Sequence, residues 1–90
     1  MPQVKIPPPY RGPTQGEAAI EVEGRTVREC IQAVEARYPG FGEQIFDPES
    51  NFHRFVKLFV NGDQLDEDAA LRTPVSSDDE VEVLAAIAGG

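Results

Sequence analysis

The chain has 90 residues, 8 of them basic and 16 acidic, which gives a formal net charge of −8. A chain of this length is expected to form one small domain with a modest core. The negative charge argues against a nucleic-acid partner, because phosphate binding requires a basic surface, and equally against an anionic membrane surface. One cysteine and one histidine exclude a disulfide framework and a metal site built from several such ligands in one chain.

The N-terminal residues and the cysteine content predict a cytoplasmic protein. No apolar run approaches the roughly 20 residues that a membrane-spanning helix requires. The segment 1–9 lacks the apolar stretch of a signal peptide. A single cysteine is consistent with a reducing compartment.

The first half of the chain predicts two strands and a helix. Alternation predicts short strands at residues 3–6 and 17–23, joined as a hairpin with a long loop. Prolines at positions 7–9 end the first strand, because proline cannot donate to a ladder. Thr26, with Glu29 three positions later, has the pattern of a capping box. The apolar residues that follow at helical spacing are Val27, Cys30, Ile31, Val34 and Tyr38.

The second half predicts irregular structure followed by strands. Residues 41–54 are expected to be irregular, with aromatic and aliphatic side chains tucked under the domain at Phe41, Ile45, Phe46 and Phe52. A strong strand at 55–60 runs into Asn61-Gly62, a typical hairpin turn because both residues tolerate positive φ. A short return strand is expected to start at Leu65. An acidic loop at 66–79, with a helical turn near 69–72, then precedes a last strand at 81–88.

This order of elements indicates an α+β fold of the β-grasp type. One amphipathic helix covers only one face of a sheet, so the sheet is expected to curl around it. The prediction is a mixed sheet of four to five strands packed on one helix, with the first and last strands parallel and adjacent at its centre. The domain is expected to span residues 1–84, with residues 85–90 as a flexible C-terminal tail.

Sorting the two strongest strands by alternation predicts a binding surface. The aliphatic faces are expected to meet the helix, and they carry Val56, Leu58, Val60, Val81 and Val83. The other faces present apolar side chains beside charged ones, a combination that often marks a binding surface. The predicted partner-binding patch comprises Phe55, Lys57, Phe59 and Leu84. The alternative is that residues 41–52 fold over this face and cover it.

Side chains that could carry catalysis are scarce. Cys30 lies on the apolar stripe of the helix and is expected to be a small buried hydrophobe. His53 lacks a recognisable nucleophile beside it, and the acidic residues crowd into loops that are typically solvated. The chain has neither a calcium-binding loop nor a phosphate-binding glycine motif. We therefore expect no catalytic residues, no metal site and no enzyme activity.

The last residues, Ala88-Gly89-Gly90, point to a different kind of site. Glycine lets a backbone enter a narrow tunnel, and a terminal glycine carboxylate has no Cβ to shield it from attack. The tail can therefore be expected to reach a partner's active site while the folded body docks outside. The alternative is a frayed terminus with incidental glycines.

The sequence resembles the ubiquitin-like sulfur carriers. This family includes the thiamine-biosynthesis carrier, the small subunit of molybdopterin synthase and the carrier of a cysteine-biosynthesis route. The resemblance spans nearly the whole chain and rests on the opening strand, the helix after Thr26, the segment 55–62, the acidic turn at 77–81 and Ala88-Gly89-Gly90. The segment 53–56 and the long connection at 39–54 are most similar to the cysteine-biosynthesis type. Ala85-Ala86 departs from relatives that carry proline near the tail.

The resemblance implies a mechanism in which partner enzymes do the chemistry. An E1-like adenylyl- and sulfurtransferase would join Gly90 to AMP with ATP and magnesium, and a sulfur donor would convert the adenylate to a thiocarboxylate. The acceptor would be a pyridoxal-phosphate enzyme of the cysteine synthase type, with a zinc peptidase releasing the product. A molybdopterin synthase large subunit or a thiamine-type enzyme is the other implied acceptor. This chain itself would bind no cofactor.

Two other functions remain open from the sequence. The chain could be a ubiquitin-like protein modifier that is conjugated through Gly90 to lysines of target proteins. It could also be a plain β-grasp interaction module in which the terminal glycines have no role.

Overall fold

The computed structural model describes residues 1–7, 12, 14–46, 56–66 and 69–85. Five strands, two α-helices and one 3₁₀ helix make up this part of the chain. In chain order they are β1 (Gln3–Lys5), β2 (Ala19–Glu21), α1 (Val27–Arg37), α2 (Phe41–Ile45), β3 (Val56–Val60), β4 (Asp63–Gln64), the 3₁₀ helix (Ala70–Arg72) and β5 (Glu80–Ala85).

The strands form one mixed sheet in the order β2-β1-β5-β3-β4. β1 and β2 pair antiparallel as a hairpin, and β1 pairs parallel with β5. β3 pairs antiparallel with both β5 and β4. The predicted hairpin and the predicted parallel pairing of the first and last strands are therefore confirmed.

Helix α1 begins at the predicted cap. The Thr26 hydroxyl accepts from the Glu29 amide at 3.2 Å, and the Glu29 carboxylate accepts from the Arg25 amide at 3.1 Å. The first bond satisfies an amide that the start of a helix leaves without a partner, and the second holds the residue before the cap against the first turn. The buried stripe of the helix consists of Val27, Cys30, Ile31 and Val34, while Tyr38 is half-buried beyond its end.

The core lies between α1 and one face of the sheet. Val4 at the centre of β1 and Val81 and Val83 of β5 are fully buried, and Val56 and Leu58 of β3 are nearly so. Alternation along β3 and β5 thus places the aliphatic side chains toward the helix, as the sequence predicts. Val60, at the end of β3, is only half-buried against this core.

The prediction of irregular structure after residue 40 is wrong for residues 41–45, which form α2. Gly40 is the N-cap of this helix and has a φ of 105°, a left-handed conformation that favours glycine; its amide donates to the Glu35 carboxylate at 3.0 Å. Phe41 and Ile45 are fully buried, and Phe46 is half-buried, so the predicted tucking of these three is confirmed. Phe52 lies outside the described residues.

A network of hydrogen bonds joins the β3–β4 turn to the start of β5. Asn61 and Gly62 have φ values of 51° and 87°, which confirms the predicted turn. The Asn61 side chain accepts from the Glu80 amide and donates to the Asp79 carboxylate, both at 2.9 Å. The Ser76 amide donates to the same carboxylate at 2.7 Å. The network therefore holds the turn against the strand that pairs with β3.

Several predicted boundaries shift in the structure. β2 is shorter than residues 17–23, and β4 ends before Leu65, whose amide donates to the Leu58 carbonyl at 2.9 Å. The predicted helical turn near residues 69–72 is confirmed as the 3₁₀ helix. β5 is described through Ala85, and the remainder of the strand predicted at 81–88 lies outside the described residues.

Among the helices in the described ranges, none is both long enough and apolar enough to cross a membrane.

Replacing Val83 with alanine is expected to lower the free energy of unfolding by about 1–3 kcal/mol, because the change leaves a cavity at a fully buried position. Urea denaturation measures the loss. Gln64→Ala in exposed β4 is the control and is expected to change stability by less than about 0.5 kcal/mol. Equal losses in the two variants would contradict the placement of Val83 in the core.

Replacing Asp79 with asparagine is expected to reduce the loss of stability in acid. The Ser76 amide, and then the Asn61 side chain, hold the pKa of Asp79 below its ordinary value of 3.8. The ionised carboxylate therefore stabilises the fold above the ordinary pKa, and this contribution is lost as the pH falls through the lowered one. Urea denaturation across this acid range should show a shallower decline for Asp79→Asn.

The matched control for this series is Asp78→Asn, which removes the same charge from the neighbouring exposed position. If Asp79→Asn and the control lose stability in acid as steeply as the parent chain, the ionised Asp79 carboxylate does not stabilise the fold through this network.

Candidate functional site

The outward face of β3 and β5 brings together three of the four predicted patch residues. The ladder places Lys57 opposite Leu84 and Phe59 opposite Glu82. Phe59 and Leu84 are therefore diagonal neighbours on one face, a separation of about 7–8 Å that an aromatic side chain can span. The side chains of these two opposing pairs are all half-buried. We call Lys57, Phe59, Glu82 and Leu84 the outer patch; the fourth predicted residue, Phe55, lies outside the described residues.

The described residues leave the outer patch uncovered. The alternative that residues 41–52 fold over it fails for 41–46, because α2 packs against α1 on the opposite side of the sheet. Gly42 and Phe46 line a groove with Arg28 and Glu35 of α1, which confirms this position. Residues 47–52 lie outside the described residues.

Charge is distributed unevenly along β5. Asp78, Asp79 and Glu80 make the start of the strand acidic, and Lys5 of β1 forms an ion pair with Glu80 at 3.2 Å. Toward its other end, β5 carries the outer patch, where the positive Lys57 stands opposite the apolar Leu84. The end of β5 that leads to the tail is therefore the less acidic one.

The sheet sets the point from which the tail continues. Ala85, opposite Val56, is the last residue that the structure describes. Ala88, Gly89 and Gly90, the predicted site of chemistry, lie outside the described residues. Leu84 of the outer patch comes six positions before Gly90 in the sequence, so few residues separate the patch from the predicted site of chemistry.

A groove beside the outer patch was not predicted from the sequence. It has a volume of about 330 Å³ and lies where β1 ends, with Pro7 and Ala18 on one side and Leu84 on the other. The run of prolines at 7–9 could have revealed it. These prolines end the central strand β1 at a point where the neighbouring strand β5 continues.

Cys30 is a buried structural residue, as predicted. It is 0% exposed, and burial, together with the negative charge of Glu29, raises the pKa of its thiol. A Cβ added to Gly24 would lie 2.9 Å from both the Cys30 amide nitrogen and Sγ, so the chain packs tightly over the thiol. These features leave Cys30 a weak nucleophile.

In the described part of the chain, no group of three or more His, Cys, Asp or Glu side chains could hold a metal ion. His53 lies outside the described residues, so the expectation that it is solvated stays a prediction.

Comparison with known proteins gives consistent matches over nearly the whole chain. The model of the ThiS family matches residues 4–90. The sulfur carrier protein CysO of Mycobacterium tuberculosis is 36% identical over 89 residues, which cover 97% of this chain and 96% of CysO. The family-model match includes the terminal glycines, and the CysO match covers nearly all of the chain.

Solved structures agree with this assignment. A chain in the crystal structure of the Amycolatopsis orientalis BexX/CysO complex superimposes with a TM-score of 0.89 at 34% identity, covering 100% of both chains. The crystal structure of SAMP1 from Haloferax volcanii superimposes with a TM-score of 0.78 at 18% identity, covering 99% of this chain and 98% of SAMP1, and supports the β-grasp fold alone. With its fold, its sequence and the family model in agreement, the chain belongs to the ThiS family.

Proposed function

We propose that this chain is a sulfur carrier whose Gly90 carboxyl group is activated as an adenylate and converted to a thiocarboxylate. The observation that carries the proposal is the position of β5, whose Leu84 belongs to the outer patch and whose last described residue, Ala85, comes five positions before Gly90 in the sequence. The sulfur carriers to which the chain is similar over nearly its whole length support it.

The chemistry requires activation because a carboxylate is a poor electrophile. A Gly90 carboxylate oxygen attacks the α-phosphorus of ATP and releases pyrophosphate, which gives an acyl adenylate. A sulfur donor then adds to the carbonyl carbon, and AMP leaves with the bonding electron pair. Because glycine has no Cβ, the backbone can enter a narrow active site and the carbonyl stays open to attack.

The folded body serves as the docking element. The outer patch, with Phe59 and Leu84 at its centre, binds the E1-like activating enzyme outside that enzyme's active site. The five residues after Ala85 can span at most about 17 Å, which sets the distance between the docking surface and the adenylation site. The sheet thus provides specific recognition, and the tail carries the reacting group.

The sulfur acceptor is a pyridoxal-phosphate enzyme of the cysteine synthase type. The similarity to CysO favours this acceptor over a molybdopterin synthase large subunit or a thiamine-type enzyme. A zinc peptidase would then release the product from Gly90. ATP, magnesium, pyridoxal phosphate and zinc all belong to these partners, and this chain contributes the carboxyl terminus and the surface that partners bind.

Incubation with ATP, magnesium, sulfide and a matched activating enzyme is expected to raise the intact mass by about 16 Da, the difference between sulfur and oxygen. Deleting Gly90 should abolish this gain, because the chain then ends one residue short of the reacting position. Intact-protein mass spectrometry measures both. Circular dichroism should show an unchanged fold, since a terminal residue contributes little stability.

A conservative control is Ala88→Ser, which keeps the length and both glycines and should still gain the mass. An unchanged mass for the parent chain with an active, matched enzyme would overturn the proposed function. A full mass gain after deletion of Gly90 would do the same.

Replacing Phe59 with alanine is expected to weaken binding to the activating enzyme about tenfold or more, because a central aromatic side chain often anchors an interface. Isothermal titration calorimetry measures the affinity. Gln32→Ala, on the exposed face of α1, is the control and should bind like the parent chain. Urea denaturation separates a binding defect from a folding defect, and equal affinity of the Phe59 variant and the parent would contradict the docking role.

A further inference from the structure

Strand β2 lies at one end of the sheet and leaves its outer edge open. In the sheet order, β1 is its only neighbour among the described strands. The three residues of β2, Ala19–Glu21, pair antiparallel with β1 along the other edge. Ala19 and Glu21 are both exposed.

The direction of the backbone groups on β2 follows from alternation. The Ala18 carbonyl and the Val22 amide form hydrogen bonds at 2.8 and 3.0 Å with residues that flank β1, so both groups face β1. Successive residues of a strand point their backbone groups to opposite edges. The amides and carbonyls of Ala19 and Glu21 therefore face away from β1, on the outer edge.

One acceptor on this edge is bound by an arginine of the same chain. The Arg37 guanidinium, at the end of α1, donates to the Glu21 carbonyl at 2.8 Å, which confirms that this carbonyl faces outward. In the described part of the chain, the Ala19 amide and carbonyl and the Glu21 amide have no hydrogen-bond partner. Arg37 is exposed, so its bond can be exchanged for one to another donor at little cost.

The side chains along this edge are acidic. The segment 17–23 contains no basic residue, and its three glutamates, Glu17, Glu21 and Glu23, are all exposed. A second copy of this chain that paired here would bring the same glutamates together, and each copy has a net charge of −8. The charge therefore favours a partner with basic side chains over self-association.

We infer that the outer edge of β2 binds an extended segment of a partner protein that carries lysine or arginine at alternate positions, and that this segment adds to the sheet as a strand. Unpaired backbone donors and acceptors on a strand edge are matched by another extended backbone. Ile20 points into the core, so Glu21 lies on the outward face, where the basic side chains of the segment meet it. The segment replaces Arg37 at the Glu21 carbonyl.

This edge is distinct from the surface assigned to the activating enzyme. β1 lies between β2 and β5, whereas the outer patch belongs to β3 and β5. The inference therefore goes beyond the proposed function and holds whether or not Gly90 is activated.

Titration of the isotope-labelled chain with a capped hexapeptide of alternating lysine and valine tests the inference. The amide resonances of Ala19 and Glu21 are expected to shift to saturation, and their hydrogen exchange to slow at least about fivefold, because both amides gain acceptors. Nuclear magnetic resonance measures both at residue resolution. The same peptide with glutamate in place of lysine is expected not to bind.

A matched pair of variants separates strand addition from attraction between charges. Ala19→Pro removes an outward amide, which an edge strand tolerates, and should weaken peptide binding about tenfold, the effect of about one backbone hydrogen bond. Ala19→Ser keeps the amide and should bind within about twofold of the parent. Urea denaturation checks that both variants fold, and if Ala19→Pro does not, exchange at Ala19 and Glu21 in the parent chain decides.

Four results would overturn the inference. Equal binding by Ala19→Pro and the parent shows that charge alone attracts the peptide. Slow exchange at Ala19 in the free chain shows that its own residues occupy the edge, and protection that grows with chain concentration shows a second copy there. The fourth result is the absence of saturable shifts at Ala19 and Glu21 up to about 5 mM peptide.

Discussion

The pairing of β5 along both of its edges is the constraint on which the rest of the structure depends. β1 lies parallel on one side and β3 antiparallel on the other, so β5 cannot shift without breaking two ladders. Its inward residues Val81 and Val83 fill the core under α1. The register of the two ladders therefore also determines which residues of β5 are buried. A one-residue slip would move these valines to solvent and the outer patch into the core. The position from which the tail continues is therefore determined by the packing of the whole domain.

The network around Asn61 and Asp79 reinforces this register at the opposite end of the strand. Asn61 occupies a left-handed turn position and uses both ends of its side-chain amide, one for the Asp79 carboxylate and one for the Glu80 backbone. The turn therefore determines where β5 begins as well as reversing β3. The network lies at the start of β5, whereas Leu84 of the outer patch lies near the other end of the strand.

The sequence predicted the elements that carry strong local signals. Thr26 and Glu29 mark the start of α1, Asn61 and Gly62 mark the turn, and alternation in β3 and β5 separates core residues from Phe59 and Leu84. It failed at α2, because five residues are too few to show a helical period and Pro39-Gly40 was interpreted only as a stop. The groove beside the outer patch was missed because the strands that line it are distant in sequence, so only the tertiary pairing reveals it. The role of Gly90 stays a prediction; the sequence indicates it because its chemistry depends on backbone properties rather than on a cluster of side chains.

The burial of Cys30 has a consequence for a protein that transports sulfur. The acyl adenylate of the proposed chemistry is an electrophile that thiolates can attack, including those of other copies in the same solution. The thiol of Cys30 is closed off by Gly24 and held protonated by its surroundings. In the described part of the chain it is the only sulfhydryl, and the full sequence contains no other. The carrier is thereby protected from acylating itself and from forming disulfide-linked pairs, which leaves its activated end to the enzymes that consume it.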